Sequence, residues 1–154
     1  MGPADPLIFA MGTFEAQIPT DRLYAKNHLW LLADPQSRVF RVGLTAYSVR
    51  LLQDVYFLDW TIDPGTHVSA RQAIGEIESS KALSSLYTPG QGLVHQFNEA
   101  VLSDPSVINT DGYQEGWLYT LETGDAFLSP QEYFDHLTIG WEQDQRYLKG
   151  QVNQ

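Results

Sequence analysis

The chain contains no cysteine and only three lysines, Lys26, Lys81 and Lys149. Without thiols there can be neither a disulfide framework nor a thiolate metal site. Lys and Arg are missing altogether from Ala82 to Gln145, a stretch that holds ten Asp and Glu residues, so the formal net charge of −10 belongs to the later part of the chain. A surface of that sign repels nucleic acid and anionic lipid and suits partners with basic mouths. No apolar run approaches the ~20 residues needed to cross a bilayer. The opening Met1-Gly2-Pro3-Ala4-Asp5-Pro6 puts no basic residue ahead of Leu7-Ile8-Phe9-Ala10-Met11, so a secretory leader is not expected and a cytoplasmic location is. Gly-x-Ser-x-Gly, phosphate-loop and dinucleotide signatures are absent, and His28, His67, His95 and His136 are too scattered to form a metal-ligand motif. The sequence offers no catalytic constellation and no metal site.

What is present is a core. The 154 residues are 43% apolar and include four Trp, eight Tyr and seven Phe, which excludes disorder and fits one domain. Leu29, Leu31 and Ala33 alternate with His28, Trp30 and Leu32, a strand with little exposed face, and after the Asp34–Ser37 turn Phe40, Val42 and Leu44 supply its hairpin partner. Thr45 can cap a short helix carrying Ala46, Val49 and Leu52. Short strand-like runs follow at 55–60, near His67, and at 72–77, 82–87, 93–97 and 116–121, a spacing that predicts a small sandwich or barrel. Ser129-Pro130-Gln131-Glu132 reads as a capping box with proline at the first helical position. The helix it opens is predicted to run to about Leu148, with Phe134, Leu137, Trp141 and Leu148 on one stripe packed on the β core. Residues 1–19 give no firm signal and read as a partly mobile extension.

Lys81 lies in Ile77-Glu78-Ser79-Ser80-Lys81-Ala82, a polar turn between two strand-like runs, the second of which ends at the Thr88-Pro89-Gly90 turn signal. A hairpin tip displays a lysine on a flexible stem where a modifying enzyme can reach the amine. Glu76 and Glu78 alternate along the first strand, and near an exposed tip such a pair is more often solvated than an acid/base couple.

Around this lysine the chain resembles the H-protein family of the glycine cleavage system, whose lipoyl-bearing hairpin reads Glu-Ser-x-Lys-Ala, here Glu78-Ser79-Ser80-Lys81-Ala82. Tyr24, His28 and Trp30 match a Tyr-x-x-x-His-Glu-Trp start, and Val42-Gly43-Leu44-Thr45 with Tyr47 matches Val-Gly-Ile-Thr-x-Tyr. Leu52-Gln53-Asp54-Val55-Tyr56-Phe57 matches Leu-Gly-Asp-Ile-Val-Phe, and Tyr87-Thr88-Pro89, Gly92, Asn98-Glu99-Ala100, Asn109, Tyr113 and Gly116-Trp117-Leu118 keep the family's order. The resemblance implies a mainly β fold, a lipoyl/biotinyl-type barrel-sandwich hybrid with short flanking helices and a C-terminal helix. It implies three segments: residues 1–19 as an N-terminal extension, 20–122 as the H-protein-like lipoyl domain, and 123–154 as a helical extension packed on that domain. It also implies a non-catalytic carrier with lipoate joined covalently to Lys81, attached by a lipoate-protein ligase or lipoyl transferase that reads Glu78 three residues before the lysine. A body without cysteine cannot trap a dithiol arm in a mixed disulfide.

The departures from the family pattern set the expected branch. In glycine cleavage a cationic aminomethyl cargo is held by the acid of His-Glu-Trp and by an acid four residues after the lysine; this chain has Leu29 and Ser85 there. A shielded ammonium without a countercharge is costly, and Asn27, His28, Leu29 and Ser85 are the candidate cleft. The family's glycine ten residues before the lysine is replaced by Arg71. These changes favour the related lipoate-binding proteins of bacterial sulfur oxidation, which partner a heterodisulfide-reductase-like complex and whose cargo needs no acidic clamp. The alternative is an H-protein of glycine cleavage with its P-, T- and L-protein partners. A further alternative is an unmodified or biotinylated interaction domain, although biotinyl hairpins favour methionines beside the lysine, where this chain has Ser80 and Ala82.

Overall fold

The structure, a computed structural model, describes residues 5–152. In chain order its elements are β1 (Leu7–Met11), β2 (Phe14–Ile18), β3 (Leu23–Tyr24), β4 (Leu29–Ala33), β5 (Val39–Leu44), α1 (Ala46–Leu52), β6 (Val55–Trp60), β7 (Thr66–Val68), β8 (Ala73–Ser79), β9 (Leu83–Tyr87), β10 (Gly92–Phe97), α2 (Glu99–Ser103), α3 (Val107–Thr110), β11 (Tyr119–Glu122) and α4 (Pro130–Val152). The strands form an antiparallel six-stranded sheet in the order β3-β4-β5-β11-β10-β7, a three-stranded sheet β6-β8-β9 and a β1-β2 hairpin. This is the mainly β barrel-sandwich arrangement with a C-terminal helix that the resemblance implies.

Two cores lie on opposite faces of β4. Leu29 and Leu31 join the first, which unites Val42, Leu44, Val94 and Leu121 of the large sheet with Leu58, Ile74, Ile77 and Leu86 of the small one. Trp30 turns to the second, with Phe9, Met11, Ala16, Ile18, Tyr24, Tyr47, Tyr133 and Leu137. Alternate residues of a strand face opposite ways, so a strand buried on both sides must be apolar throughout, which explains the unbroken run at 29–32. Trp30 pairs in register with Gly43, and a Cβ at that position would drive into the indole. The indole Nε1 donates to the Gly112 carbonyl at 3.1 Å, and the Arg22 guanidinium stacks 4.7 Å above the ring.

The structure departs from the sequence reading at the N-terminus. Residues 7–18 form a hairpin around Gly12, which adopts φ 65°. Its buried residues alternate, Phe9 and Met11 from β1 with Ala16 and Ile18 from β2, and the Phe9 ring packs edge-on to Tyr47, Phe134 and Trp141. Two five-residue strands carry too little local pattern to be read alone; burial against α1 and α4 fixes them. The strand expected at 116–121 begins only at Tyr119, because the chain still turns through 111–117, with the Gly116 amide donating to the Asp111 carbonyl at 2.9 Å. The short helices α2 and α3 were not read from the sequence.

The α4 start is as expected: the Glu132 amide donates to Ser129 Oγ at 3.1 Å, and the Ser129 amide donates to Glu132 Oε1 at 2.9 Å. Hydrogen bonding to the Ser129 backbone and hydroxyl holds the Glu132 carboxyl below its ordinary range. Phe134, Leu137 and Trp141 pack on the body with the additional, fully buried Tyr133, and α4 runs on to Val152; the side chain of Leu148 lies outside the described residues.

Among the described residues, three besides glycine hold positive φ: His28 (68°), Gln53 (63°) and Arg71 (64°). A side chain in the left-handed region costs about 1–2 kcal/mol, against which glycine loses about 0.5–1 kcal/mol of unfolded-state freedom. Gln53→Gly and Arg71→Gly are each therefore expected to raise the unfolding free energy by about 0.5–1 kcal/mol, measured by urea denaturation; a loss in both would refute the strain.

A pH limit follows from the tyrosines. Burial raises the Tyr113 hydroxyl from 10.0 to about 12, and raises Tyr24, Tyr119 and Tyr133 well above the usual range. The unfolded chain releases these protons first, so the contribution of Tyr113 is intact below pH 10.0 and is lost as pH rises towards about 12. Tyrosinate absorbance and thermal unfolding followed together from neutral to alkaline pH are expected to show part of the tyrosine signal appearing only as the protein unfolds.

Candidate functional site

The lysine turn is short because β8 runs to Ser79 and β9 starts at Leu83, leaving Ser80, Lys81 and Ala82 as the tip. The Ser79 amide donates to the Ala82 carbonyl at 3.0 Å and closes the hairpin. Ser79 Oγ, buried beneath the tip, accepts from the amides of Lys81 and Ala82, each at 3.3 Å. The serine of the motif thus holds the backbone on either side of the lysine. Lys81 itself is half-buried, not fully exposed as expected for a free tip, since the turn is bonded back to the body at Asp54.

Beside the tip, the outer face of the small sheet carries two cross-strand rows. Phe57, Glu78 and Leu83 lie in register on neighbouring strands, and all three are exposed, Phe57 by 49% and Leu83 by 64%. Asp59, Glu76 and Ser85 form the next row, also exposed. Glu76 and Glu78 therefore sit on one solvated face, with no ion pair to either among the described residues. Asp59 and Glu76 stand directly opposite one another, which disfavours the folded state slightly and leaves a negative field next to the lysine.

The candidate cleft is only partly assembled as expected. Asn27, Leu29 and Ser85 line a cavity of about 240 Å³ with Leu44, Leu52, Ile77 and Tyr119 among its walls. Asn27 is anchored by a 3.1 Å bond from Nδ2 to the Tyr87 carbonyl. His28 does not belong to it. Its ring lies on the Trp30 side of β4, where Nδ1 lies 2.9 Å from the Tyr133 hydroxyl, itself 2.9 Å from Thr45 Oγ1. A histidine flanked by two lining residues is easily assigned to the same cleft; the alternation of side chains along the chain places it on the opposite face. Ser85 lies four residues beyond Lys81, about 13 Å along an extended chain at ~3.3 Å per residue. Sequence reasoning missed Ser48 of α1, Ser84 of β9 and Leu118 just before β11, which come to the cleft from three separate parts of the chain.

No carboxylate lines this cavity. Its walls are leucine, isoleucine, tyrosine, serine and asparagine, which suit an apolar arm with a few polar atoms and supply no countercharge for a cation. A lysine on a bonded turn next to such a cleft fits a covalently tethered acyl arm of lipoyl type. Among the described residues no three His, Asp or Glu side chains converge as a metal site, and no helix is long and apolar enough to cross a membrane.

The model of the glycine cleavage H-protein family matches residues 22–137, well over half of the chain. The chain belongs to that family. A glycine cleavage system H protein from Beutenbergia cavernae is 39% identical over 109 residues, covering 71% of this chain and 86% of the relative. One from Halorhodospira halophila is 36% identical over 111 residues, covering 72% and 84%. The crystal structure of the H protein from Mycobacterium marinum superposes with a TM-score of 0.70 at 35% identity, covering 79% of this chain and 99% of that one. Members of the family are non-catalytic carriers that bear lipoate covalently on a lysine. The hairpin β1-β2 lies outside the matched residues.

Glu78 is exposed and hydrogen-bonded to no described side chain, so Glu78→Lys is expected to leave the unfolding free energy within about 0.5 kcal/mol of the parent. The same change is expected to slow attachment of lipoate by a lipoate-protein ligase several-fold, because it reverses the charge beside the target amine. Equal attachment rates for variant and parent would reduce Glu78 to a solvated strand residue.

Proposed function

We propose that the chain is the lipoyl carrier of a glycine cleavage system, with Lys81 as the attachment residue and Glu78 as the residue read by the attaching enzyme. The observation that carries the assignment is the lysine on a hydrogen-bonded three-residue tip beside a partly open, mostly apolar cleft, within a chain of this family. The residues do four things. Ser79 and Asp54 hold the turn, Glu78 and Asp59 give its surroundings negative charge, Asn27 and the leucines shape a cavity into which an apolar arm can fold, and Lys81 offers its amine for amide formation. When bound, lipoate supplies a disulfide that accepts electrons or a transferred group. On a flexible stem it can serve several active sites at high local concentration. The partners implied are the P-, T- and L-proteins, with residues 20–122 as the carrier body and the segments before and after it as additions.

A second reading has one observation in its favour. Leu29 and Ser85 leave the cleft without a carboxylate, which suits a neutral or anionic cargo and supports the sulfur-oxidation role with a heterodisulfide-reductase-like partner. The names of the relatives support glycine cleavage instead, and that reading is preferred.

One experiment separates them. The protein is loaded with lipoate by a ligase, the site is mapped by peptide mass, and the loaded protein is assayed with P-, T- and L-proteins beside Ser85→Asp and Leu29→Glu/Ser85→Asp. Modification is expected on Lys81 and to vanish in Lys81→Ala; modification on Lys26 or Lys149 would refute the site. Efficient glycine turnover by the parent with no gain from the acids is the result expected. Poor turnover that rises about tenfold or more in the variants would overturn it in favour of the sulfur reading, since a lost countercharge in a shielded pair commonly costs ~3–5 kcal/mol, less in an open cleft. Ser85→Asp, at an exposed position, keeps the comparison readable if a buried glutamate at 29 impairs folding.

A further inference from the structure

We infer that Ser80, Asp54 and Asn109 form a clamp that fixes the direction in which the Lys81 turn presents its amine, with Ser80 and Asn109 as positioning residues. The inference rests on the carrier reading of Lys81 given above.

Hairpin tips are ordinarily held only by their own two strands. This one is gripped from a third segment. The Ser80 amide donates to the Asp54 carbonyl at 2.8 Å, and Ser80 Oγ accepts from the Asp54 amide at 3.1 Å, so one residue of the tip is bonded at two points to one residue of the α1–β6 connection. Position 80 is the place that the Glu-Ser-x-Lys-Ala pattern leaves open, and a residue without a hydroxyl could make only the backbone half of the bridge.

The connection is itself held. Asn109, in α3, donates from Nδ2 to the Gln53 carbonyl at 2.6 Å and accepts at Oδ1 from the Val55 amide at 2.9 Å. Its carboxamide thus brackets Asp54 from both sides. Gln53 sits at φ 63° and ψ −135°, a conformation disfavoured for any residue with a Cβ. Strained backbone persists where the surroundings over-determine it; here the Asn109 bond and the bond from the Gln53 amide to the Val49 carbonyl at 2.8 Å do so.

The bonds at Ser80 and Asp54 are exposed and add little to global stability. What they restrict is the tip. A pre-ordered turn spares an attaching enzyme the cost of ordering it on binding. Loss of the clamp is therefore felt as a weaker encounter with an unchanged chemical step, a rise in KM with kcat preserved.

The test compares the parent with Ser80→Ala, Asn109→Ala and the conservative Ser80→Thr. Attachment of lipoate by a lipoate-protein ligase is measured as separate KM and kcat values, and amide hydrogen exchange is followed at Lys81 and Ala82. Reaction of Lys81 with a small acylating ester reports on the intrinsic reactivity of the amine. The expected result is a KM raised about threefold to tenfold in Ser80→Ala and Asn109→Ala, with kcat and the ester rate unchanged and faster exchange at the tip, whereas Ser80→Thr keeps the KM and the exchange rate of the parent. A KM within twofold of the parent in both alanine variants, with unchanged exchange, would overturn the clamp. So would a KM rise that follows a matching drop in Tm and is not restored by threonine, since that is the signature of a merely structural role. A parent that the ligase does not modify at Lys81 overturns the carrier reading and the inference with it, and is distinguishable because no variant comparison is then needed.

Discussion

A single strand buried on both faces is the constraint on which the rest of the molecule depends. β4 gives Leu29 and Leu31 to the core between the two sheets and Trp30 to the core beneath α4. Each such side chain contributes roughly 1.5–3 kcal/mol when it leaves water, but only if both faces are covered at once. The small sheet covers one. The N-terminal hairpin, α1 and α4 cover the other. Gly43 is the reciprocal requirement on β5, since any side chain there would occupy the space of the Trp30 indole.

That arrangement also sets the chemistry of the cleft. Leu29 is the first residue of the doubly buried strand, so the position that bears an acid in the family's pattern is here part of the apolar core, 4% exposed. The next residue back, His28, is bonded on the opposite side to Tyr133 of α4. The divergence from an acidic clamp and the packing of the C-terminal helix thus meet at adjacent residues. The cleft is apolar with serine and asparagine at its edge, and the nearby carboxylates Asp59, Glu76 and Glu78 lie outside it, on the solvated face of the small sheet.

Much of this was legible in the sequence, for local reasons. The capping box at Ser129 and Glu132, the cap of α1 by Thr45 and the strands at 29–33, 55–60 and 83–87 each carry their signal within a few residues. The lysine turn was legible as well, because Ser79, Lys81 and Ala82 are neighbours in the chain. What escaped depended on distant partners. The hairpin at 7–18 is defined by what it packs on. The bond between His28 and Tyr133 joins residues 105 apart in the chain, which no local pattern announces. The grip of Asn109 on the lysine turn joins positions more than fifty residues from Gln53 and Val55, and no periodicity records it.

The scarcity of lysine has a kinetic meaning. An enzyme that acylates one amine chooses among those offered, and its accuracy is the ratio of its rates for the right and wrong sites. With only three lysines in the chain, two compete with the target. A tenfold preference over each, about 1.4 kcal/mol, already directs roughly five attachments in six to the intended residue. A chain with twenty competing lysines would require a far steeper preference for the same outcome. By carrying its surface charge on carboxylates and a few arginines, the protein removes wrong answers from its own surface and eases the discrimination demanded of the enzyme that reads it.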